Sequence, residues 1–102
     1  MKLREAAVEI ATYMGLSEEE ILRQALVVFL REKKKKIMRD RLEILARYNV
    51  TSVDELERQI ATGELPEHPT WEDTIVAENL TAKVAEIDRY LQRLQSSGRA
   101  RN

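Results

Sequence analysis

The chain has 102 residues, with 17 Lys or Arg against 18 Asp or Glu, a net charge of -1, no cysteine, three Gly and two Pro. A chain of this length can build one small core and predicts a single domain, and the lack of cysteine excludes disulfides and thiolate metal sites. The charged start and the absence of a long apolar run predict a soluble, cytoplasmic protein with no membrane segment.

The first predicted helix covers residues 3–14. Gly15 follows as a left-handed stop, and Leu16 can fold back over the last turn. Ser17 then caps the next helix, so the two helices form a compact corner. The apolar residues recur at intervals of three and four, as in a helix with one buried stripe. They are Leu3, Ala6, Ala7, Ile10 and Met14.

The second predicted helix, residues 17–48, is about 45 Å long at the standard rise. Its apolar residues form two blocks, 21–30 and 37–48, separated by residues 31–36, of which five are basic and one is Glu32. Because they cover more than one narrow stripe, this helix has more apolar surface than one chain can hide. We therefore expect a homodimer along it, with an interface at Ile21, Ala25, Val28, Phe29, Ile37, Leu42 and Leu45.

A short third helix is predicted from Val53, after the cap residue Ser52, and ends at Gly63. Such a short helix needs a neighbour, and we expect it to pack on residues 37–48. Pro66 and Pro69 then make a stiff connector.

The fourth predicted helix begins after a Thr70 cap and ends near residue 95. Its apolar residues alternate by three and four, which is typical of a coiled-coil or bundle seam. The simplest interpretation is an internal face of the bundle, with Trp71 as a lid. The alternative is a surface that binds a partner protein. Its residues would be Trp71, Ile75, Leu80, Val84, Ile87 and Leu91.

Charge is distributed unevenly along the chain. Residues 23–47 hold nine Lys or Arg and three acids, whereas residues 51–79 hold eight acids and one Arg. The acidic segment could neutralise the basic one, or the basic residues could bind nucleic acid. The candidate contacts are Lys33, Lys34, Lys35, Lys36 and Arg39.

Gly15, Leu16 and Ser17, followed by Glu20, Arg23, Ala25, Leu26, Phe29 and Leu30, resemble the two-helix part of ribbon-helix-helix proteins. This family includes many antitoxins and small repressors. The resemblance covers residues 3–31 and implies a helical dimerisation unit. The family's DNA-reading strand has no counterpart, because only two residues precede the first helix.

These patterns predict an all-α protein: a helical hairpin, a long central helix, a short third helix and a C-terminal amphipathic helix, assembled as a helical-bundle dimer. Residues 1–48 would form the dimerisation unit, 49–95 an acidic arm that binds the partner, and 96–102 a flexible tail.

We find no pattern of a catalytic, cofactor or metal site; the lone His68 on a loop is more often exposed than catalytic. The expected function is that of an antitoxin-like or regulatory protein that binds and neutralises a partner such as a toxin. The alternatives are a nucleic-acid-binding protein that uses residues 31–41, and a purely structural bundle.

Overall fold

The computed structural model describes residues 1–99, which form four helices and no strand. The all-α prediction is confirmed for this part of the chain. The helices are α1 (Leu3–Met14), α2 (Glu18–Arg47), α3 (Val53–Ala61) and α4 (Thr70–Arg99).

The corner between α1 and α2 is built by local chemistry. Gly15 adopts a left-handed φ of 71°, which costs little without a Cβ atom. The Leu16 amide donates to the Ala11 carbonyl at 2.9 Å, which folds the chain back over the last turn of α1. The Ser17 hydroxyl then accepts a hydrogen bond from the Glu20 amide at 3.0 Å and starts α2.

Helices α2 and α4 form an antiparallel hairpin. Lys34 Nζ donates to Asp88 at 2.7 Å, and Arg41 Nη1 donates to the Thr81 hydroxyl at 3.2 Å. The later residue of α2 thus pairs with the earlier residue of α4, so the two helices run in opposite directions. Residues that are buried or half-buried recur by three and four on the facing sides of both helices, the spacing of a coiled-coil seam. On α2 this stripe comprises Val27, Leu30, Lys34, Ile37, Arg41 and Ile44, and Tyr48 continues it just past the helix end.

The best-packed part of the chain is where the hairpin closes, and we call residues 44–77 the closed end. Helix α2 ends at Arg47, and Asn49, two residues later, adopts a left-handed φ of 55°, a conformation that asparagine tolerates. The chain then returns so that Val50 packs on Leu45 and on Leu56 of α3. Leu56 of α3 thus packs with Leu45, within the segment 37–48 that we expected to be its partner, and α3 also contacts α4.

The predicted ends of α4 were wrong by a few residues. The Asp73 amide donates to the Pro69 carbonyl at 3.3 Å, so Thr70 lies inside the first turn instead of capping it. Proline suits the start of a helix because its fixed φ is helical and its missing N–H is not needed there. At the other end, residues 96–99 continue the helix; the remainder of the predicted tail, 100–102, lies outside the described residues.

The protein is elongated. Its radius of gyration is 19.8 Å, against about 13 Å for a compact domain of this length, and it measures 61 × 32 × 17 Å. Helix α1 packs mainly on α2, and we call residues 1–30 the head. None of the four helices is both long and apolar enough to cross a membrane.

Candidate interaction surfaces

An open apolar groove runs along the head between α1 and α2. It has a volume of about 640 Å³, and its two ends are lined by charged side chains. The small residue Ala11 is the buried residue of α1, whereas the larger apolar residues of this helix are exposed. The apolar lining consists of Leu3, Ala6, Ala7 and Ile10 from α1 and Ile21, Leu22 and Ala25 from α2.

Large apolar side chains around this groove are exposed to an unusual degree. Leu3 is 87 % exposed, Ile10 is 52 % and Leu22 is 59 %. The apolar stripe of α2 continues through Leu26 and Phe29, which follow Leu22 at four and seven residues and share its side of the helix. The ammonium group of Lys33 lies 5.6 Å from the Phe29 ring centroid.

The charged residues of the groove lie at opposite ends. Glu18 and Glu19 begin α2, next to the corner, whereas Arg4 is near the far end of α1, about 15 Å from the corner at the helical rise. Glu19 also pairs with Arg23 at 3.7 Å within α2. One end of the groove is therefore acidic and the other basic.

The residues predicted for the dimer interface are placed in different surroundings. Ile21 and Ala25 line the groove and Phe29 extends its apolar stripe, whereas Val28 and Leu42 are exposed outside it. Ile37 is half-buried in the hairpin seam. Leu45 is only 4 % exposed and packs on Val50 and Leu56, so it belongs to the core of its own chain.

The predicted partner-binding stripe of α4 is divided between two sides of the helix. Leu80, Val84, Ile87 and Leu91 are half-buried and share the side of α4 that holds Asp88 and Thr81 against α2. This part of the stripe therefore faces the interior of the bundle, as the simplest interpretation of the sequence predicted. Trp71 and Ile75 lie on another side and are 47 % and 40 % exposed.

The basic stretch of α2 is only partly neutralised. Lys34 pairs with Asp88 across the hairpin at 2.7 Å, whereas Lys35 and Lys36 pair with Glu32 and Asp40 of their own helix at 3.5 and 3.4 Å. The acidic segment 51–79 contributes no ion pair to Lys33–Lys36 within the described chain. Lys33, Lys35, Lys36 and Arg39 are exposed.

A polar cluster holds the closed end together. The Tyr48 hydroxyl donates to the Asp73 carboxylate, and Arg47 Nη1 lies 3.6 Å from the same carboxylate. The hydrogen bond to Asp73 raises the pKa of Tyr48 above its ordinary value of 10.0, and desolvation adds to this. Thr74 is fully buried, and its hydroxyl donates to the Thr70 carbonyl at 2.8 Å.

Two carboxyl groups meet where α3 contacts α4. A hydrogen bond with Glu78 raises the pKa of Glu57 above 4.5, and desolvation and the like charges of Glu78 and Asp54 act in the same direction. A proton shared between two carboxyl groups relieves their repulsion.

His68 lies on the exposed connector, as the sequence suggested, with Nδ1 2.7 Å from Glu72. Within residues 1–99, no three acidic or histidine side chains come close enough together to hold a metal ion.

The sequence prediction missed the part of the groove that α1 contributes. Leu3, Ile10 and Met14 were interpreted as the face that packs on α2, but they are 87 %, 52 % and 60 % exposed. The signal that could have indicated this was Ala11, a small residue beside the stripe that allows close helix contact without using the larger side chains.

A family model described as the uncharacterized protein MJ0235 family matches residues 1–99. Comparisons with curated proteins and with solved structures give no match. The family match extends over all four helices, from the head to the last turns of α4. The chain therefore belongs to the uncharacterized protein MJ0235 family.

Proposed function

We propose that this chain is a small antitoxin-like or regulatory protein of the cytoplasm, which dimerises and binds a partner protein, and that it is not an enzyme. The observation that carries the proposal is the exposed apolar surface of the head. Leu3, Leu22 and Phe29 are each more than half exposed, and a contiguous patch of this kind marks an interaction site. The resemblance of residues 3–31 to ribbon-helix-helix proteins supports the same function.

The partner would bind the outer side of α4 near the closed end. Trp71 and Ile75 are one helical turn apart and exposed, and an accessible tryptophan is a favoured anchor in interfaces. Glu72 and Glu78 lie on the same helix and are also exposed, which favours a partner with a basic surface.

A binding measurement with the protein product of the adjacent reading frame tests this proposal. We expect a complex by titration calorimetry, and a loss of affinity of about thirtyfold for Trp71→Ala, the size typical of an anchor residue. Tyr90→Ala is the matched control, because Tyr90 is an aromatic residue of α4 with 46 % exposure farther from the closed end. A folded chain that does not associate, or equal binding by Trp71→Ala, would count against the proposal.

Nucleic-acid binding is the second candidate function, favoured by the exposure of Lys33, Lys35, Lys36 and Arg39 on α2. It predicts a shift of DNA or RNA mobility that weakens steeply with salt and disappears when residues 33–36 are changed to Gln. If neither a partner nor a nucleic acid binds and the chain forms a stable closed oligomer, a purely structural bundle is the remaining alternative.

A further inference from the structure

We propose that the groove between α1 and α2 is filled by the same groove of a second copy, related by a twofold axis that sets the two grooves antiparallel. This inference rests on the proposed function for its premise that the chain dimerises. The sequence predicted a dimer interface along the whole of α2. The interface proposed here is confined to the head and includes α1.

The exposed area of the groove and its apolar stripes suits a stable dimer. At about 200 Å² for a large side chain when fully exposed, the exposed fractions correspond to about 700 Å² of apolar surface. A standard interface takes about 800 Å² from each partner, whereas the largest apolar patch of a typical monomer is roughly 300–600 Å². The residues are Leu3, Ile10, Met14, Leu22, Leu26 and Phe29.

Charge complementarity identifies a second copy as the occupant and fixes its direction. The acidic end of the groove holds Glu18 and Glu19, and the basic end holds Arg4. In an antiparallel twofold arrangement, Arg4 of each copy faces Glu18 of the other, so the same pair forms twice. A parallel arrangement would bring like charges together at both ends, which is unfavourable.

Within residues 1–99, the groove is lined by the head and no residue of α3 or α4 enters its lining. The apolar seam of α4 is already turned toward α2, and α3 packs on α4 at the closed end. Ala11 is the buried residue of α1, whereas the large side chains around the groove remain exposed. The groove therefore presents both protruding side chains and a hollow, which a twofold copy can match.

Sedimentation equilibrium of the full chain tests this proposal through charge reversal. We expect a dimer for the unmodified chain, dissociation constants raised about tenfold by Arg4→Glu and by Glu18→Arg, and near-complete recovery in the double variant. Recovery identifies a direct contact between the two residues. Equal dissociation constants for all four proteins, or a double variant no tighter than the single ones, would overturn the antiparallel arrangement.

Leu22→Asp tests the apolar part of the groove. We expect it to give a monomer that keeps its helical circular dichroism, because Leu22 is 59 % exposed in the single chain. Leu42→Asp is the control, since Leu42 is 64 % exposed on the same helix but outside the groove. A dimer that survives Leu22→Asp would refute the groove assignment and leave the proposed function standing, whereas a monomeric unmodified chain would refute both.

Discussion

The head and the closed end contain the same helix, α2, but only the closed end hides its apolar side chains. There, Leu45 and Leu56 are 4 % and 0 % exposed, because α3, α4 and the turn at Val50 all cover them. In the head, Leu22 and Phe29 remain more than half exposed, and the groove beside Leu22 is lined by residues of α1 and α2. Burial thus depends on how many elements surround a helix, and the apolar content of the helix alone does not decide it.

The largest expected difference between the two regions is in core substitutions. Leu56→Ala should lower the free energy of unfolding by about 2–5 kcal/mol, because it removes a fully buried side chain and leaves a cavity. Leu22→Ala should change it by less than about 0.5 kcal/mol when the protein is dilute enough to be monomeric. Urea denaturation measures both, and equal losses would contradict the difference in packing between the head and the closed end.

The polar cluster of the closed end should give the next largest effect. Asp73→Asn weakens the acceptor for Tyr48 and removes the charge near Arg47, and we expect a loss of about 1.5–3 kcal/mol in the free energy of unfolding. Glu72→Gln is the control, because its partner His68 is on the exposed connector.

This substitution should also lower the pKa of Tyr48 toward 10.0. A raised pKa in the folded state means that the neutral phenol stabilises the fold below pH 10, and that this contribution is lost as the pH rises through the folded pKa. Absorbance titration with Tyr13 and Tyr90 changed to Phe isolates the signal. A pKa that does not respond to Asp73→Asn would show that the carboxylate is not its cause.

A smaller effect is expected midway along the hairpin, between the two regions. A double-mutant cycle on Lys34 and Asp88, each changed to Ala, should give a coupling of about 0.2–1 kcal/mol that falls with salt, because both side chains are partly exposed. The same cycle on Lys35 and Glu32, a fully surface pair within α2, is the reference. No coupling between Lys34 and Asp88 would mean that this ion pair does not contribute to the register of the hairpin.

The smallest effect concerns pH and the contact of α3 with α4. Because the pKa of Glu57 is raised above 4.5, its protonated form stabilises the fold at acidic pH, and this contribution is lost as the pH rises through the folded pKa. Glu57→Gln should therefore flatten the dependence of stability on pH above 4.5. Glu64→Gln serves as the control, and an unchanged profile in Glu57→Gln would rule out the shared proton.

Local sequence patterns were sufficient to predict the helices. Gly15, Ser17 and Ser52 set helix ends through bonds made within a few residues, and the observed ends of α1, α2 and α3 agree with the prediction. The three-and-four spacing of α4 also predicted a seam, since that periodicity places residues on one side of a helix whatever packs against it. Local bonds and periodicity depend on near neighbours in the chain, which a sequence displays directly.

Which helix faces are covered could not be predicted in the same way. Helix α2 is apolar on several sides, so periodicity could not predict that α4 would pack on the side that includes Ile37. It also could not predict that Leu45 would be buried in the core of its own chain. Periodicity also could not predict that α1 would bury Ala11, or that Leu3 and Ile10 would line an open groove. These choices depend on contacts between segments far apart in sequence, which compete for the same apolar surface.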